Sequence, residues 1–161
     1  MERRAAIVGT TGYVLPTFGR TDDGGRPHIE VNARGYHYVV VERGKELSRI
    51  TTGDPDDLLY HVFADVSFSQ AMKFEVGHRI KQQDFRRILF KHQIELLSSL
   101  SPAWVQRQLA EHNRILQDHP FDNFLDIRAR FTKELRDAGH SADDAWRAAR
   151  QRYPLPHGEV V

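Results

Sequence analysis

The first third of the chain alternates polar and apolar residues with the two-residue period of β-strands. The run His28-Ile29-Glu30-Val31 alternates in this way, and the turn residues Asn32-Ala33-Arg34-Gly35 lead into a second run, Tyr36 to Glu42. A further reversal at Arg43-Gly44-Lys45 precedes a third run, Glu46 to Thr52, which contains several β-branched residues. The pattern predicts an antiparallel meander of three strands.

A weaker apolar segment precedes this meander. Ala5 to Val14 is compatible with a fourth strand, and the stretch from Pro16 to Pro27 contains Gly19, Gly24 and Gly25, which are typical of a loop.

The hydrophobic period changes to that of a helix at Asp54-Pro55-Asp56-Asp57. Asp54 can cap the helix, Pro55 suits a first helical turn because its missing N–H costs nothing there, and the acidic residues favour the positive end of the helix dipole. The apolar spacing predicts a helix from Pro55 to about Met72. Similar spacing or capping signals predict helices at Gln83 to Ser99, from Ser101-Pro102 to about Leu116, at Phe121 to Ala138 before Gly139, and after Ser141.

These elements predict an α+β fold. A small antiparallel β-meander of three to four strands is followed by, and packs on, four to five α-helices. The length of 161 residues fits a single domain over residues 1–161. Within it, residues 1–53 are mainly β, residues 54–153 are mainly α, and residues 154–161 form a frayed tail.

Composition excludes several classes of function. The chain has no Cys, which removes disulfides, thiolate nucleophiles and Cys-based zinc sites. Lys and Arg number 23 against 22 for Asp and Glu, so the concentrated positive charge of a nucleic-acid binder is not expected. No apolar stretch reaches the roughly 20 residues of a membrane-spanning helix, and Gly9 to Gly12 interrupts any signal-like segment. We therefore expect a cytoplasmic protein without a membrane or nucleic-acid partner.

The best local candidate for a metal site lies on the predicted hairpin. His28 and Glu30 share one face of a strand, and His37 on the neighbouring strand could complete a set of two His and one carboxylate if the register allowed it. This set supports the alternative of a small metal-dependent enzyme. Ordinary polar residues on a strand surface are the competing interpretation.

Other chemical motifs are incomplete. Glu75 and His78 have the spacing used in carboxylate-bridged di-iron bundles, but such sites need the motif twice. The segment Gly9-Thr10-Thr11-Gly12 lacks the Lys-Ser/Thr of a phosphate-binding loop. No nucleophile-elbow pattern surrounds any serine. The sequence therefore predicts a protein that is not an enzyme and holds no cofactor.

The strand Tyr36-His37-Tyr38 has the composition of an interaction surface, because Tyr offers a rigid apolar ring with a polar tip. Alternation places both Tyr rings on one face and Val39 and Val41 with His37 on the other. If the Val face packs on the helices, the rings point outward; otherwise the Tyr face belongs to the core.

Several separated blocks resemble one known family. The chain is similar, over roughly residues 15 to 122, to immunity protein family 63 of bacterial polymorphic toxin systems. The blocks are Arg26 to Val31, Gly35 to Gly44, Asp57 to Tyr60, Gln83 to Arg87 and Leu100 to Trp104. The resemblance implies a cytoplasmic antidote that binds and neutralises a cognate toxin protein. We expect it to act as a heterodimer with the toxin, by stoichiometric occlusion. It supplies no catalytic or contact residues.

We predict that the toxin is contacted by the polar face of the first hairpin strand, the two Tyr residues and the following turn. These residues are His28, Glu30, Tyr36, Tyr38, Glu42 and Arg43.

Overall fold

The computed structural model describes residues 15–156 together with Met1, Arg3, Ala6 and Gly9. In this part of the chain a four-stranded sheet precedes five helices. The strands are β1 (Thr17–Phe18), β2 (His28–Asn32), β3 (Gly35–Glu42) and β4 (Lys45–Thr52). The helices are α1 (Pro55–Gly77), α2 (Arg86–Ser98), α3 (Pro102–Asp118), α4 (Leu125–Asp137) and α5 (Ala142–Arg152). The predicted α+β class and the antiparallel meander are confirmed.

The sheet has the order β1-β2-β3-β4, with β2, β3 and β4 antiparallel and β1 parallel to β2. The prediction of a continuous loop from Pro16 to Pro27 is wrong at β1, where Thr17 and Phe18 pair with His28 and Ile29. The predicted strand from Ala5 to Val14 lies outside the described residues, apart from Ala6 and Gly9.

The turn between β2 and β3 depends on Gly35. Its φ is 115°, and a Cβ at this position would lie 2.4 Å from the backbone carbonyl oxygen of Thr52. Only glycine combines this left-handed geometry with so close an approach of two backbones. Gly35 therefore allows both the reversal between β2 and β3 and the close approach of β3 to the end of β4.

Helix α1 begins where the capping signals predicted. The Asp54 side chain accepts a hydrogen bond from the Asp56 N–H at 2.9 Å, and Pro55 occupies the first turn. The helix continues past Met72 to Gly77. Helices α2 and α4 begin later than predicted, at Arg86 and Leu125 rather than Gln83 and Phe121.

The main core lies between one face of the sheet and helices α1 to α3. The Trp104 ring stacks on Phe63 with centroids 5.9 Å apart, and its indole N–H donates to the Asp56 carboxylate at 3.0 Å. Burial of large apolar side chains supplies most of the stabilisation in such a layer. The core consists of Leu15, Ile29, Tyr38, Leu58, Tyr60, Val62, Phe63, Val66, Leu97 and Trp104.

Helices α4 and α5 form a helical hairpin after this core. Gly139, with φ of 94°, directly follows the C-cap of α4, and the Ser141 hydroxyl accepts from the Asp144 N–H at 3.1 Å to cap α5. Buried Asp84 ties the hairpin to α2, because it pairs with Arg86 and accepts from the Asp122 N–H at 2.8 Å.

The predicted frayed tail is partly held by the fold. The Pro154 carbonyl accepts a hydrogen bond from Arg128 at 3.0 Å, whereas residues 157–161 lie outside the described residues. None of the described helices is long and apolar enough to span a membrane.

Candidate functional site

A groove of about 820 Å³ lies between the helix-facing side of the sheet and helices α1 and α3. Strands β3 and β4 supply one wall through Val40, Ser48 and Ile50. Helix α1 supplies His61, Asp65 and Phe68, and helix α3 supplies Arg107, Gln108, Glu111 and Arg114. The groove thus has an apolar strand wall and a charged helical wall.

Asp65 is the central polar group of this groove. The Tyr38 hydroxyl donates to its Oδ2 at 2.7 Å. Tyr38 itself is 4% exposed, whereas Asp65 is exposed to solvent. The buried tyrosine therefore positions a carboxylate that a binding partner can reach.

The protein around Asp65 changes its acidity. Desolvation raises the pKa of Asp65 above its usual value, and this effect outweighs the hydrogen bond from Tyr38 and the nearby His61, both of which lower it. Burial and the adjacent Asp65 charge also raise the pKa of the Tyr38 hydroxyl, so Tyr38 stays protonated and donates. The ionised carboxylate is consequently less well solvated here than in open water.

The basic residues of the groove are paired with other acids. Arg107 contacts Asp57 at 2.7 Å and lies over the Tyr60 ring at 3.7 Å from its centroid. Arg114 pairs with Glu111 at 2.5 Å. Within the described residues, Asp65 takes part in no ion pair.

An exposed apolar stripe continues from the groove along α1. Phe68, Met72 and Val76 follow Asp65 at spacings of three or four residues, which places them on the same face of the helix. Their exposed fractions are 41%, 47% and 64%. Contiguous exposed apolar side chains are typical of protein–protein interfaces.

The predicted contact residues do not form one surface. The register pairs Ile29 with Tyr38 and Glu30 with His37, so Tyr36 and Tyr38 share the face opposite to that of His28 and Glu30. The Tyr rings do not point outward, because the Tyr face of β3, and not the Val face, packs on the helices. Tyr38 belongs to the core, and Tyr36 packs partly buried against it.

The remaining predicted contact residues differ in accessibility. His28 is 3% exposed and offers little surface to a partner. Glu30 is half-buried and pairs with Arg49 at 2.6 Å. Glu42 and Arg43 are exposed at the turn between β3 and β4.

The proposed metal ligands meet only in part. His28 Nε2 lies 3.1 Å from Glu30 Oε1, as their shared strand face predicted, but His37 Nδ1 contacts the Thr51 hydroxyl at 2.8 Å. Across residues 15–156 and the four described residues before them, no three His, Cys, Asp or Glu side chains are grouped to hold a metal ion. The metal-dependent alternative gains no support from this arrangement.

A family comparison covers the part of the chain that builds the groove. The family model of Immunity protein 63 matches residues 32–114, which is more than half of the chain. This chain belongs to the Immunity protein 63 family. The resemblance found in the sequence is confirmed, and membership in this immunity family supports an immunity role. Neither a curated protein nor a solved structure matches the chain.

The range matched by the Immunity protein 63 family includes every residue that lines the groove, as well as the stripe. A second depression, of about 550 Å³, lies beside Trp146 and Leu155 at α5, outside the matched range. The groove on α1 and α3 therefore lies wholly within the family-matched range, whereas the depression at α5 does not.

Sequence reasoning missed Asp65 and the stripe. The signal was the series His61, Asp65, Phe68, Met72 and Val76, which follows one helical face beside the buried series through Leu58, Val62 and Val66. Periodicity identified the buried series but does not tell whether a second apolar series is covered. Only the three-dimensional structure shows that it is exposed.

Proposed function

We propose that this member of the Immunity protein 63 family neutralises a cognate toxin protein by binding it stoichiometrically in a heterodimer. The bound immunity protein covers the toxin's active site or substrate groove, and no bond is made or broken. The proposal includes a cytoplasmic site of action within a polymorphic toxin system. It rests on family membership together with the surface of α1.

The proposal rests on the observation that the groove and the exposed apolar stripe share a residue and adjoin each other. Phe68 lines the groove and also begins the exposed series that continues through Met72 and Val76. An apolar series of this kind fits the centre of a protein interface surrounded by polar groups. A specific interface buries at least about 1,200 Å² in total, so it would extend from the stripe across the groove.

This proposed surface differs from the contact set predicted from the sequence. Tyr38 remains in it indirectly, because its hydroxyl positions Asp65. His28 and Glu30 lie on the other face of the sheet and are not part of the proposed interface.

The test pairs two stripe substitutions with a control elsewhere. Phe68→Ser combined with Met72→Ser should weaken binding of the toxin encoded beside this gene by about 30-fold or more, since central apolar contacts contribute most of the affinity of an interface. Leu125→Ser removes a side chain that is 50% exposed on α4 and should leave affinity unchanged. Calorimetry and survival of toxin-expressing cells would measure both effects.

Circular dichroism must first show that each variant is folded. Equal protection by the wild type and the folded double variant would reject the stripe as the interface. Absence of any complex between the wild type and the toxin, with no rescue of the cells, would reject the proposed function itself.

A further inference from the structure

Asp65 is an exposed carboxylate held in place by the protein without a cationic partner among the described residues. Its one hydrogen bond in this part of the chain comes from the neutral Tyr38 hydroxyl, at 2.7 Å. The other carboxylate oxygen, Oδ1, makes no hydrogen bond within the described residues, and Asp65 lines the groove. The site therefore has fixed geometry and unused acceptor capacity.

The Arg side chains that line the groove are held by other acids. Arg107 is fixed by its 2.7 Å contact with Asp57 and by the Tyr60 ring beneath it. Arg114 is fixed by Glu111. An incoming cation would thus complete the charge pairing of the groove without displacing an existing pair.

The surroundings of Asp65 favour a long basic side chain over a small ion. Phe68 lies one helical turn further along α1 and is 41% exposed. The methylene stem of Lys or Arg can pack on such a ring while its charged end reaches the carboxylate. A partly desolvated site also strengthens a charge-assisted hydrogen bond.

We propose that the groove receives a Lys or Arg side chain of the toxin, which pairs with Asp65 and packs along Phe68. The inference rests on the proposed function and names the chemistry of the partner's group. A basic residue at or beside a toxin's active site would be occupied by this contact, which fits inhibition by occlusion.

The experiment compares Asp65→Asn with Asp126→Asn by calorimetry against the purified toxin. Both substitutions remove one negative charge, but Asp126 is exposed on α4 and outside the range matched by the family. Asn at position 65 keeps the shape of Asp and can still accept from Tyr38. Asp65→Asn should weaken binding by at least about tenfold, as for a close charge pair across an interface, and Asp126→Asn should change it less than about twofold.

A scan of the toxin then identifies the partner residue. One Lys→Met or Arg→Met variant of the toxin should bind wild type and Asp65→Asn equally, because the two substitutions remove the same interaction. If the wild type binds the toxin and Asp65→Asn binds within about twofold of it, the inference is wrong while the proposed function stands. If the wild type does not bind the toxin, both are wrong.

A free polyamine is the other possible source of the cation. Spermidine is therefore titrated into the wild type and Asp65→Asn in the absence of toxin. Binding of spermidine that depends on Asp65, together with toxin binding that does not, would assign the groove to a small cation and overturn the inference. No spermidine binding, together with the loss of toxin affinity in Asp65→Asn, would support it.

Discussion

The orientation of the Tyr38 ring determines which side of the sheet carries the hydrogen bond to Asp65 in the groove. Its strand offers Tyr36 and Tyr38 on one face and Val39 and Val41 on the other, so alternation alone does not identify the core face. The structure buries both Tyr38 and Val39, on opposite faces of β3. The Tyr38 hydroxyl reaches Asp65, 27 residues away in the sequence, and such a distant partner has no local signal.

His112 is a second residue whose role depends on distant partners. It is 4% exposed, stacks on Phe90 with centroids 3.9 Å apart, and contacts the Gln93 side-chain oxygen at 2.9 Å. Desolvation lowers the pKa of His112 to about 4, despite the opposing effect of Glu111. His112 is thus kept neutral inside the fold at neutral pH.

This environment predicts a pH-dependent loss of stability. Below about pH 6.5 the unfolded chain protonates His112 while the folded chain does not, so the free energy of unfolding falls until about pH 4 and this contribution then stays constant. Over this window the wild type should lose about 2 to 3 kcal/mol relative to His112→Gln, given about 1.4 kcal/mol per pKa unit. Urea unfolding at several pH values would measure it.

His140→Gln is the matched control, since His140 is exposed in the connection between α4 and α5. This variant should keep the pH dependence of the wild type. Identical slopes for the wild type and His112→Gln would show that burial of His112 is not the cause.

Elements with strong local signals were predicted well. The Asp54-Pro55 start of α1 follows from capping and proline geometry, and the β2–β3 turn follows from its Asn and Gly residues. Strand β1 was missed because two residues carry no periodicity, and its parallel pairing with β2 forms only in the folded sheet. A bulge also escaped prediction: Val40 pairs with Ser48 and Val41 with Glu46, which leaves Leu47 unpaired in β4.

The helical hairpin of α4 and α5 is held by a buried charge. Arg128 is 1% exposed, pairs with Asp122, and donates to the carbonyls of Tyr153 and Pro154 at 3.0 Å. Periodicity on α4 could not predict this role, because the acceptors belong to the end of α5 and to the segment before α4. The contact closes the hairpin at its open end.

Loss of Arg128 should therefore release the end of α5. Arg128→Met leaves the Asp122 carboxylate and two carbonyls without their donor, and removal of one partner of a buried pair typically costs about 3 to 5 kcal/mol. Hydrogen exchange of the amides in α5 should accelerate at least about 30-fold. Arg130→Met changes an exposed residue of the same helix and should have little effect.

The same variant tests whether the helical hairpin contributes to the proposed interface. Toxin affinity of Arg128→Met should match that of the wild type while α1 stays folded. Unchanged exchange in α5 would contradict the structural role of Arg128, and lost toxin affinity with an intact α1 would place part of the interface on the hairpin.

At the scale of the whole molecule, the family-matched range and the accessible groove coincide. Residues 32–114 contain β3, β4, α1, α2 and most of α3, and the groove lies among these elements. The class of the fold and the immunity family were predictable from the sequence because both depend on the order of local patterns. The location of the proposed interface was not, since it depends on which face of α1 the sheet and the other helices leave uncovered.

We propose that the protein inhibits its toxin by covering it and not by a chemical reaction, and a titration of toxin activity distinguishes the two. Increasing amounts of the immunity protein are added to a fixed toxin concentration well above the dissociation constant. We expect toxin activity to fall linearly, to reach zero at one equivalent, and to return when the complex is separated. Complete inactivation by far less than one equivalent, or inactivation that persists after separation, would contradict it.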